Sequence, residues 1–331
     1  MLLRKKPVLC NYYVTYRCNA KCSFCDIWEK PSPYVTLENV EQNLVQLKKL
    51  GVKVIDFTGG EPLLHQELDK LLLLAKKYNF ITTVTTNTLL YPKYAEKLKG
   101  LIDMLHFSLD SANEEKHNAS RGVKCYDKFV ESLQVAKSLG ERPDILYTVS
   151  EKNIEEIEEV YNKFCLPNKY ILILNPIFEY NGVGSKISDQ QLNDLLQWGK
   201  KKYIYLNKAF ITLRKDGGNH IDKPVCKAAT TSIVISPFNE LVMPCYHLGA
   251  EKMPINNDLI ELRNSAISQY YIANEGRLPG CEGCTVNCYM QPSFSVNVNK
   301  YWLDALPSTL KYNMLKGTWK KLDIGLNKAA L

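Results

Sequence analysis

Two sequence patterns alternate from residue 8 to about residue 175. Short β-rich runs, such as "VKVIDFT" at 52–58 and "ITTVTT" at 81–86, are separated by segments with helical periodicity, such as "TLENVEQNLVQLKKL" at 36–50. Six strands that alternate with helices indicate a parallel sheet with right-handed crossovers. Six units are fewer than the eight of a closed barrel, so we expect an α/β fold with an open or partial barrel. Ligands should then gather at the carboxyl ends of its strands.

The alternation stops after about residue 180. "DQQLNDLLQWGKKKYIYLN" at 189–207 has a helical pattern, and "TSIVISPFNELVMPC" at 231–245 predicts a β-hairpin. The last segment is predicted to be helical on both sides of a break at Pro307. We therefore divide the chain into three parts. These are a core at 1–207, a small α+β segment at 208–290 and a C-terminal helical extension at 291–331.

Composition limits the class of protein. The 331 residues are 45% hydrophobic and 23% charged, which is typical of a soluble globular protein. No apolar run is long enough to span a membrane, and the start has no secretory signal pattern, so we expect a cytoplasmic protein. A nucleic-acid modifier is a second alternative that only the net charge of +7 favours, and we do not expect it because no basic run is interleaved with aromatic residues in a recognisable module. The C-terminal "STLKYNMLKGTWKKLDIGLNKAA" could contact a membrane surface peripherally or pack on its own domain.

Eleven cysteines in a chain without a secretory signal favour metal binding or catalysis over disulfides. Eight of them fall into two groups, one near residue 20 and one between residues 226 and 288. Cys10, Cys125 and Cys165 stand alone in or beside apolar stretches, where we expect them to be small buried hydrophobic residues. The two groups are therefore the candidate metal sites.

The first group has the spacing Cys18-x3-Cys22-x2-Cys25 and directly follows the first predicted strand. Structural zinc needs four ligands and usually takes them as two Cys-x2-Cys pairs, so three thiolates in one loop leave zinc one ligand short. A cubane iron–sulfur cluster is held by thiolates, and three of them leave its fourth iron open for another ligand. The loop thus favours a cluster with a reactive position.

This loop resembles the signature of the radical S-adenosylmethionine (SAM) superfamily, which follows the first strand of a partial (β/α)6 TIM-like barrel. Phe24 stands before the third cysteine, where the family usually has an aromatic residue, and "TGGEP" at 58–62 follows the second predicted strand. The resemblance covers roughly residues 8–178. It implies that SAM binds the open iron of a [4Fe–4S] cluster, and that the reduced cluster cleaves SAM to a 5′-deoxyadenosyl radical that abstracts hydrogen from a substrate.

The resemblance also implies cofactor-binding residues. Gly59 and Gly60 would allow close backbone approach to a ligand, and Glu61 would accept hydrogen bonds from the SAM ammonium group. Arg121 resembles the arginine that pairs with the SAM carboxylate, a bidentate role that suits a guanidinium group.

Two further polar residues lie at predicted strand ends. Ser108 resembles the family's ribose-contacting residue, although a strand-end serine that bonds locally fits the sequence equally well. Asn87, at the end of the third strand, is a weaker candidate for the same site. No residue is identified as a catalytic acid or base.

The second group resembles the C-terminal cysteines of SPASM and twitch-type radical SAM proteins. One cysteine precedes a hairpin, one follows it, and a Cys-x2-Cys pair comes after a helix. The group comprises Cys226, Cys245, Cys281, Cys284 and Cys288. Five cysteines are too few for two fully ligated clusters, so the resemblance implies one auxiliary [4Fe–4S] cluster on the first four. Cys288 would be a replacement ligand, an acid–base group or a spare. A structural zinc site is the alternative.

The sequence therefore predicts a radical SAM enzyme whose auxiliary cluster aids electron transfer. Its substrate would be a small molecule, a lipid precursor or a peptide, because the fold and motifs do not choose among these classes. Reduced flavodoxin or ferredoxin is the electron donor that the resemblance implies. The alternative is a non-catalytic iron–sulfur or zinc protein with an electron-transfer or structural role, against which the intact "GGEP" and Arg121 weigh.

Overall fold

A computed structural model of the protein describes residues 6–179, 187–256 and 258–317. Within these residues, ten strands form one sheet. The sheet order is β10-β9-β8-β1-β2-β3-β4-β5-β6-β7. The strands are β1 Leu9–Thr15, β2 Val54–Gly59, β3 Ile81–Thr86, β4 Met104–Ser108, β5 Asp144–Val149, β6 Leu172–Pro176, β7 Ile204–Tyr205, β8 Ser232–Ile235, β9 Glu240–Met243 and β10 Glu251–Pro254.

Helices follow most strands in this part of the chain. The α-helices are α1 Leu37–Leu50, α2 Leu68–Lys77, α3 Tyr91–Leu98, α4 Glu114–Arg121, α5 Tyr126–Ser138, α6 Ile157–Val160, α7 Leu166–Asn168, α8 Asp189–Trp198, α9 Lys208–Lys215, α10 Ala228–Thr231, α11 Leu259–Asn264, α12 Ala266–Ala273, α13 Asn287–Ser293 and α14 Lys300–Lys316. A π-helical turn at Tyr161–Cys165 joins α6 to α7. Single 3₁₀ turns lie at Ile27–Glu29, Pro62–Leu64, Ile154–Glu156 and Pro279–Cys281.

Strands β1 to β6 are parallel and lie in chain order, which confirms the predicted partial barrel. Capping residues in the local sequence fix the ends of the connecting helices. At α1, the Thr36 hydroxyl accepts a hydrogen bond from the Asn39 N–H at 3.2 Å, and Gly51 ends the helix with a φ of +98°. The helix therefore begins and ends where the sequence predicts.

The two faces of the barrel strands differ in burial. In β2, the outward-facing Ile55 and Phe57 are fully buried in the main hydrophobic core beneath the helices. The inward-facing Val54, Asp56 and Thr58 keep partial exposure. Strands β4, β5 and β6 show the same alternation at most positions. The partial barrel therefore encloses a space that solvent reaches, which we call the lumen.

The segment after residue 207 is built onto this barrel. Strand β8 pairs with β1 in parallel and extends the sheet, and β8 and β9 form the predicted hairpin. On the other side, α13 lies against β6, where the Asn287 side-chain amide donates to Asn175 Oδ1 and to the Pro176 carbonyl, both at 2.7 Å. Helix α13 thus closes part of the open side of the barrel.

Two predictions of local structure are wrong. Helix α14 runs through Pro307 without a break, since both halves are anchored: the Tyr301 hydroxyl donates to Asp216 at 2.6 Å and the Tyr312 hydroxyl donates to Asp144 at 2.7 Å. The segment predicted as helical at 189–207 ends as a helix at Trp198, and β7 follows because Ile204 and Tyr205 pair with β6. Tertiary contacts decide both cases.

The three isolated cysteines, Cys10, Cys125 and Cys165, are buried, as we expect for small hydrophobic residues. Among the described residues, no helix is long and apolar enough to cross a bilayer. Of the segment that could contact a membrane surface, residues 318–331 lie outside the described part of the chain. The membrane contact and the cytoplasmic location stay predictions.

Candidate functional site

The loop with three cysteines leaves β1 at the carboxyl edge of the sheet. Its backbone is fixed to the end of α4, because the Lys21 N–H donates to the Arg121 carbonyl at 2.9 Å and the Ser23 N–H donates to the Ser120 carbonyl at 3.0 Å. Cys18 and Cys22 are partly buried and Cys25 is exposed. The loop therefore presents its thiols at the mouth of the barrel.

Gly59 and Gly60 bring the end of β2 against the start of this loop. A side chain at Gly59 would place Cβ 1.9 Å from the Thr15 carbonyl oxygen, and one at Gly60 would place it 2.2 Å from the Arg17 carbonyl oxygen. Gly59 also has a φ of +142°. The Gly60 and Glu61 N–H groups then donate to the Thr15 and Arg17 carbonyls at 3.0 and 2.9 Å. The two glycines thus allow the end of β2 to pack closely against the residues just before the first cysteine of the loop.

Glu61 is 1% exposed, and its carboxylate accepts three hydrogen bonds from the protein. The Thr86 hydroxyl and the Leu63 N–H donate to Oε1 at 2.8 and 3.1 Å, and the Asn87 N–H donates to Oε2 at 2.8 Å. Burial raises the pKa of Glu61 to about 7, and these bonds hold it lower than burial alone would. Glu61 thus joins the ends of β2 and β3, and its contact with SAM stays a prediction.

Arg121 ends α4 and is 6% exposed. Its Nη2 donates to Asp110 Oδ1 at 2.7 Å, and its Nε lies 2.7 Å from Oδ2 without a hydrogen bond, so the two side chains form a close ion pair with one hydrogen bond. Nη1 lies 3.8 Å from Cys22 Sγ, and the guanidinium lies 5.5 Å from the Phe24 ring centroid. Arg121 therefore couples the cysteine loop to the end of β4. Its predicted pairing with the SAM carboxylate is not tested.

Two other predicted residues lie close to this edge. The Asn87 side-chain amide donates to Asn19 Oδ1 at 2.7 Å and lies 3.9 Å from Cys18 Sγ, so it braces the first cysteine. Ser108 is buried at the end of β4, and Phe24 is 36% exposed beside the third cysteine. The structure thus brings all the predicted core residues to one edge of the sheet. Their contacts with SAM stay predictions.

The three thiols lie in surroundings that favour their neutral form unless a cation is bound. Burial raises the pKa of Cys18 to about 11. It also raises the pKa of Cys22, an effect that the charge of Arg121 partly offsets, and that of Cys25. Iron bound at these sulfurs would supply the missing positive charge. The donor set of three thiols on one loop therefore fits a cluster with one iron not held by protein.

The second cysteine group meets at a cavity of about 120 Å³ behind the hairpin. Four cysteines line it, although they are up to 58 positions apart in the sequence: Cys226, Cys245, Cys281 and Cys284. Among the described residues, no three His, Cys, Asp or Glu side chains meet the geometry of a single metal ion. A cubane cluster binds each thiolate on a different iron, so its ligands do not have to converge on one point.

Cys288 stands apart from this set. It lies on α13, its side chain is exposed, and it is not among the described residues that line the cavity. The protein atoms packed around the thiol raise the pKa of Cys288 by limiting its hydration, and the charges of Cys245 and Asp56 raise it further. Asp56 faces the lumen from β2. Cys288 is therefore close enough to Asp56 of β2 for their charges to interact.

Several contacts at the site were not predicted from the sequence. They involve Asn19, Thr86 and Asp110, which hold Asn87, Glu61 and Arg121 in place. Asp110 follows the fourth predicted strand closely, and a polar residue just beyond a strand is a signal that could have identified it. Asn19 and Thr86 carry no such signal, because their roles depend on which loops meet.

Comparison with known proteins agrees with this geometry. Residues 12–164 match the Radical SAM superfamily. The subtilosin biosynthesis protein AlbA of Bacillus subtilis is 26% identical over 342 residues, covering 94% of this chain and 72% of AlbA. A probable GTP 3′,8-cyclase of Archaeoglobus fulgidus is 30% identical over 159 residues, covering 46% of this chain and 53% of the cyclase. The chain thus spans about half the length of that cyclase, and less than half of this chain is matched.

Solved structures share the fold. Streptococcus suis SuiB bound to the precursor peptide SuiA superposes with a TM-score of 0.68 and 20% identity, covering 85% of this chain and 70% of SuiB. The enzyme anSMEcpe with bound AdoMet gives a TM-score of 0.64 and 18% identity, covering 95% and 96% of the two chains. The fold and the cysteine loop define a radical SAM barrel with a C-terminal extension.

The barrel of this chain, residues 12–164, belongs to the radical SAM superfamily. This confirms the predicted superfamily and fold class, and it confirms that the protein is an enzyme whose cofactors are SAM and a [4Fe–4S] cluster. The alternative of a non-catalytic carrier is therefore set aside. Reaction, substrate and electron donor are separate questions.

Proposed function

We propose that this protein is a radical SAM enzyme with one auxiliary [4Fe–4S] cluster that modifies a peptide. The peptide assignment depends on one observation: the similarity to AlbA extends over 94% of this chain, including the part after the barrel. The similarity to GTP 3′,8-cyclases covers less than half of this chain and supports the shared chemistry alone. SuiB and anSMEcpe, whose folds resemble this one, have also been solved with peptides bound.

In this proposal Cys18, Cys22 and Cys25 hold the SAM-binding cluster. When bound, the cluster and SAM supply a 5′-deoxyadenosyl radical that removes a hydrogen atom from the substrate. The protein holds the loop rigid at the mouth of the lumen. Arg121 contacts Cys22 while paired to Asp110, and Asn87 braces Cys18 through Asn19. A rigid loop keeps the reacting groups in one geometry.

The auxiliary cluster would be held by the four cysteines that line the cavity. With four protein thiolates it has no open iron, which favours electron transfer over substrate binding. Reduced flavodoxin or ferredoxin remains the donor that we propose for the first cluster. Cys25 is exposed, and an exposed ligand gives an electron donor a short path to the loop.

The proposal predicts SAM cleavage by the reconstituted protein. Anaerobic protein loaded with iron and sulfide should release 5′-deoxyadenosine and methionine when SAM and dithionite are added, as measured by liquid chromatography. A variant in which Cys18, Cys22 and Cys25 are all changed to Ala should release none. Well-loaded wild-type protein that releases no 5′-deoxyadenosine would contradict the proposed activity.

The peptide assignment needs its own measurement. A precursor peptide encoded beside the gene should lose hydrogen, in steps of about 2 Da for dehydrogenation or ring closure, when it is incubated with the enzyme and SAM. Mass spectrometry of the peptide checks this. If 5′-deoxyadenosine forms but only small metabolites are altered, the radical chemistry stands and the peptide assignment is wrong.

A further inference from the structure

Asp56 occupies the middle of β2 on the face that lines the lumen. Its neighbours Ile55 and Phe57 are fully buried on the outer face, whereas Asp56 keeps partial exposure. In the register of the sheet it stands between Asn11 of β1 and Thr83 of β3. Its carboxylate is therefore inside the barrel and reachable from the lumen.

The carboxylate has one hydrogen-bond donor within the described residues. The Thr83 hydroxyl donates to Oδ1 at 2.7 Å, and no lysine, arginine or protonated histidine forms an ion pair with Asp56 in this part of the chain. Burial raises the pKa of Asp56 to about 6, and the bond from Thr83 opposes that shift. Apart from solvent in the lumen, this carboxylate has one neutral donor and lacks the cationic partner that buried charges normally have.

The other titratable groups of the lumen do not supply that compensation. Burial lowers the pKa of His106 to about 4, so it is neutral at pH 7. Asp144 is already paired with Lys316 at 2.9 Å and accepts from the Tyr312 hydroxyl. Cys288 is a neutral thiol with a raised pKa. Among these groups, the Asp56 carboxylate is the anion without a cation.

We propose that Asp56 is a specificity-determining residue that binds a cationic group of the substrate, an ammonium or a guanidinium, inside the lumen. It lies three residues before Gly59, so it is roughly 10 Å below the mouth where the cysteine loop lies. A lysine or arginine side chain entering from the mouth could reach it while its backbone stays near the loop. The inference rests on the proposed function only in placing the substrate in the lumen.

The experiment measures binding rather than turnover. Ligand-detected NMR on the anaerobic, cluster-loaded protein would give the Kd of n-butylammonium and n-butylguanidinium, with n-butanol and n-butyrate as the neutral and anionic probes. Both cations should bind more tightly than n-butanol, and n-butyrate should not bind. Nα-acetyl-lysine N-methylamide and Nε-acetyl-lysine N-methylamide separate a side-chain amine from an α-amine as the preferred source of the charge.

Asp56→Asn should weaken cation binding by about tenfold or more, because a charge-assisted hydrogen bond is lost while the amide oxygen still accepts from Thr83. Asp56→Glu should keep most of the binding. Asp127→Asn, an exposed charge-to-amide change on α5, should leave Kd unchanged. Iron content and unfolding temperature check that each variant is folded.

Equal Kd values for wild type and a folded Asp56→Asn variant would overturn the inference, as would equal binding of n-butanol and n-butylammonium. Release of 5′-deoxyadenosine is measured on the same preparations. Its absence together with Asp56-dependent cation binding would contradict the proposed function and not this inference. Its presence without such binding would contradict this inference alone.

Discussion

Arg121 has a structural role at the site that can be separated from any contact with a cofactor. Its guanidinium forms an ion pair with Asp110 that includes one hydrogen bond from Nη2, and both side chains are less than a tenth exposed. A third nitrogen atom faces Cys22. The pair therefore ties α4 and the end of β4 to the cysteine loop, and its loss would leave a charge buried without a partner.

Changing Arg121 to Gln should lower the free energy of unfolding by about 3 kcal/mol, because the buried Asp110 carboxylate would lose its cationic partner and keep the hydrogen bond from the Ser120 hydroxyl. Urea unfolding of the reconstituted protein followed by circular dichroism measures the change. The double variant Arg121→Gln with Asp110→Asn should recover part of the loss, since it removes the uncompensated charge. A double variant less stable than the sum of the two single changes would show that the pairing is not the cause.

At the scale of elements, the sequence predicts best what neighbouring residues decide. The ends of α1 were predictable because Thr36 and Gly51 act on their own helix. The predicted break at Pro307 is wrong because Tyr301 and Tyr312, on the two halves of α14, form hydrogen bonds with residues of distant elements.

The same distinction applies to the site. The spacing of Cys18, Cys22 and Cys25 is local and shows in the sequence. The pairing of Arg121 with Asp110 joins the end of a helix to the end of a strand, so its geometry appears only in the folded chain. The glycines of "GGEP" were predicted to approach a ligand, whereas in the structure they approach the chain before the cysteine loop.

The turn after β2 should tolerate no side chain at Gly60. In a Gly60→Ala variant, Cβ would meet the Arg17 and Tyr16 carbonyl oxygens at 2.2 and 2.5 Å, and both are backbone atoms that must shift with the loop. We expect a loss of about 3 kcal/mol in the free energy of unfolding and a loss of iron from the cysteine loop. Urea unfolding and an iron assay measure these effects.

Gly199 provides the matched control. Neither Gly60 nor Gly199 has a positive φ, and that of Gly199 is −56°. An added Cβ at Gly199 would lie 3.3 Å from side-chain atoms of Leu206, which can move by a few tenths of an ångström. Gly199→Ala should therefore change stability by less than about 1 kcal/mol and leave the iron content unchanged. Similar losses for the two variants would show that the close approach at Gly60 is not what positions the loop.

On the scale of the whole molecule, the segment after residue 207 is continuous with the barrel. It adds β8 beside β1 at one edge and places α13 against β6 on the other side. Helix α13 contributes Tyr289 and Met290 to the lining of the cavity with four cysteines, and the same helix carries Cys288 and contacts β6 of the barrel. An auxiliary cluster in the cavity would be close to a substrate in the lumen.

This arrangement separates the roles of two cysteines that are seven positions apart. Cys281 lines the cavity and Cys288 does not, so a Cys288→Ala variant should retain about eight iron and eight sulfide ions per chain, as expected for two cubane clusters. Cys281→Ala should fall toward about four of each. Colorimetric iron and sulfide assays on anaerobically reconstituted protein measure both.

The variant that lacks Cys18, Cys22 and Cys25 calibrates the count, because it should retain only the auxiliary cluster at about four iron ions per chain. Adding Cys281→Ala to it should then remove most of the remaining iron, whereas adding Cys288→Ala should not. If instead Cys288→Ala lost the second cluster and Cys281→Ala kept it, the ligand set would include the thiol of Cys288. Helix α13 would then have to rotate so that Cys288 turns toward the cavity when iron binds, because the Cys288 side chain lies outside the cavity in the structure.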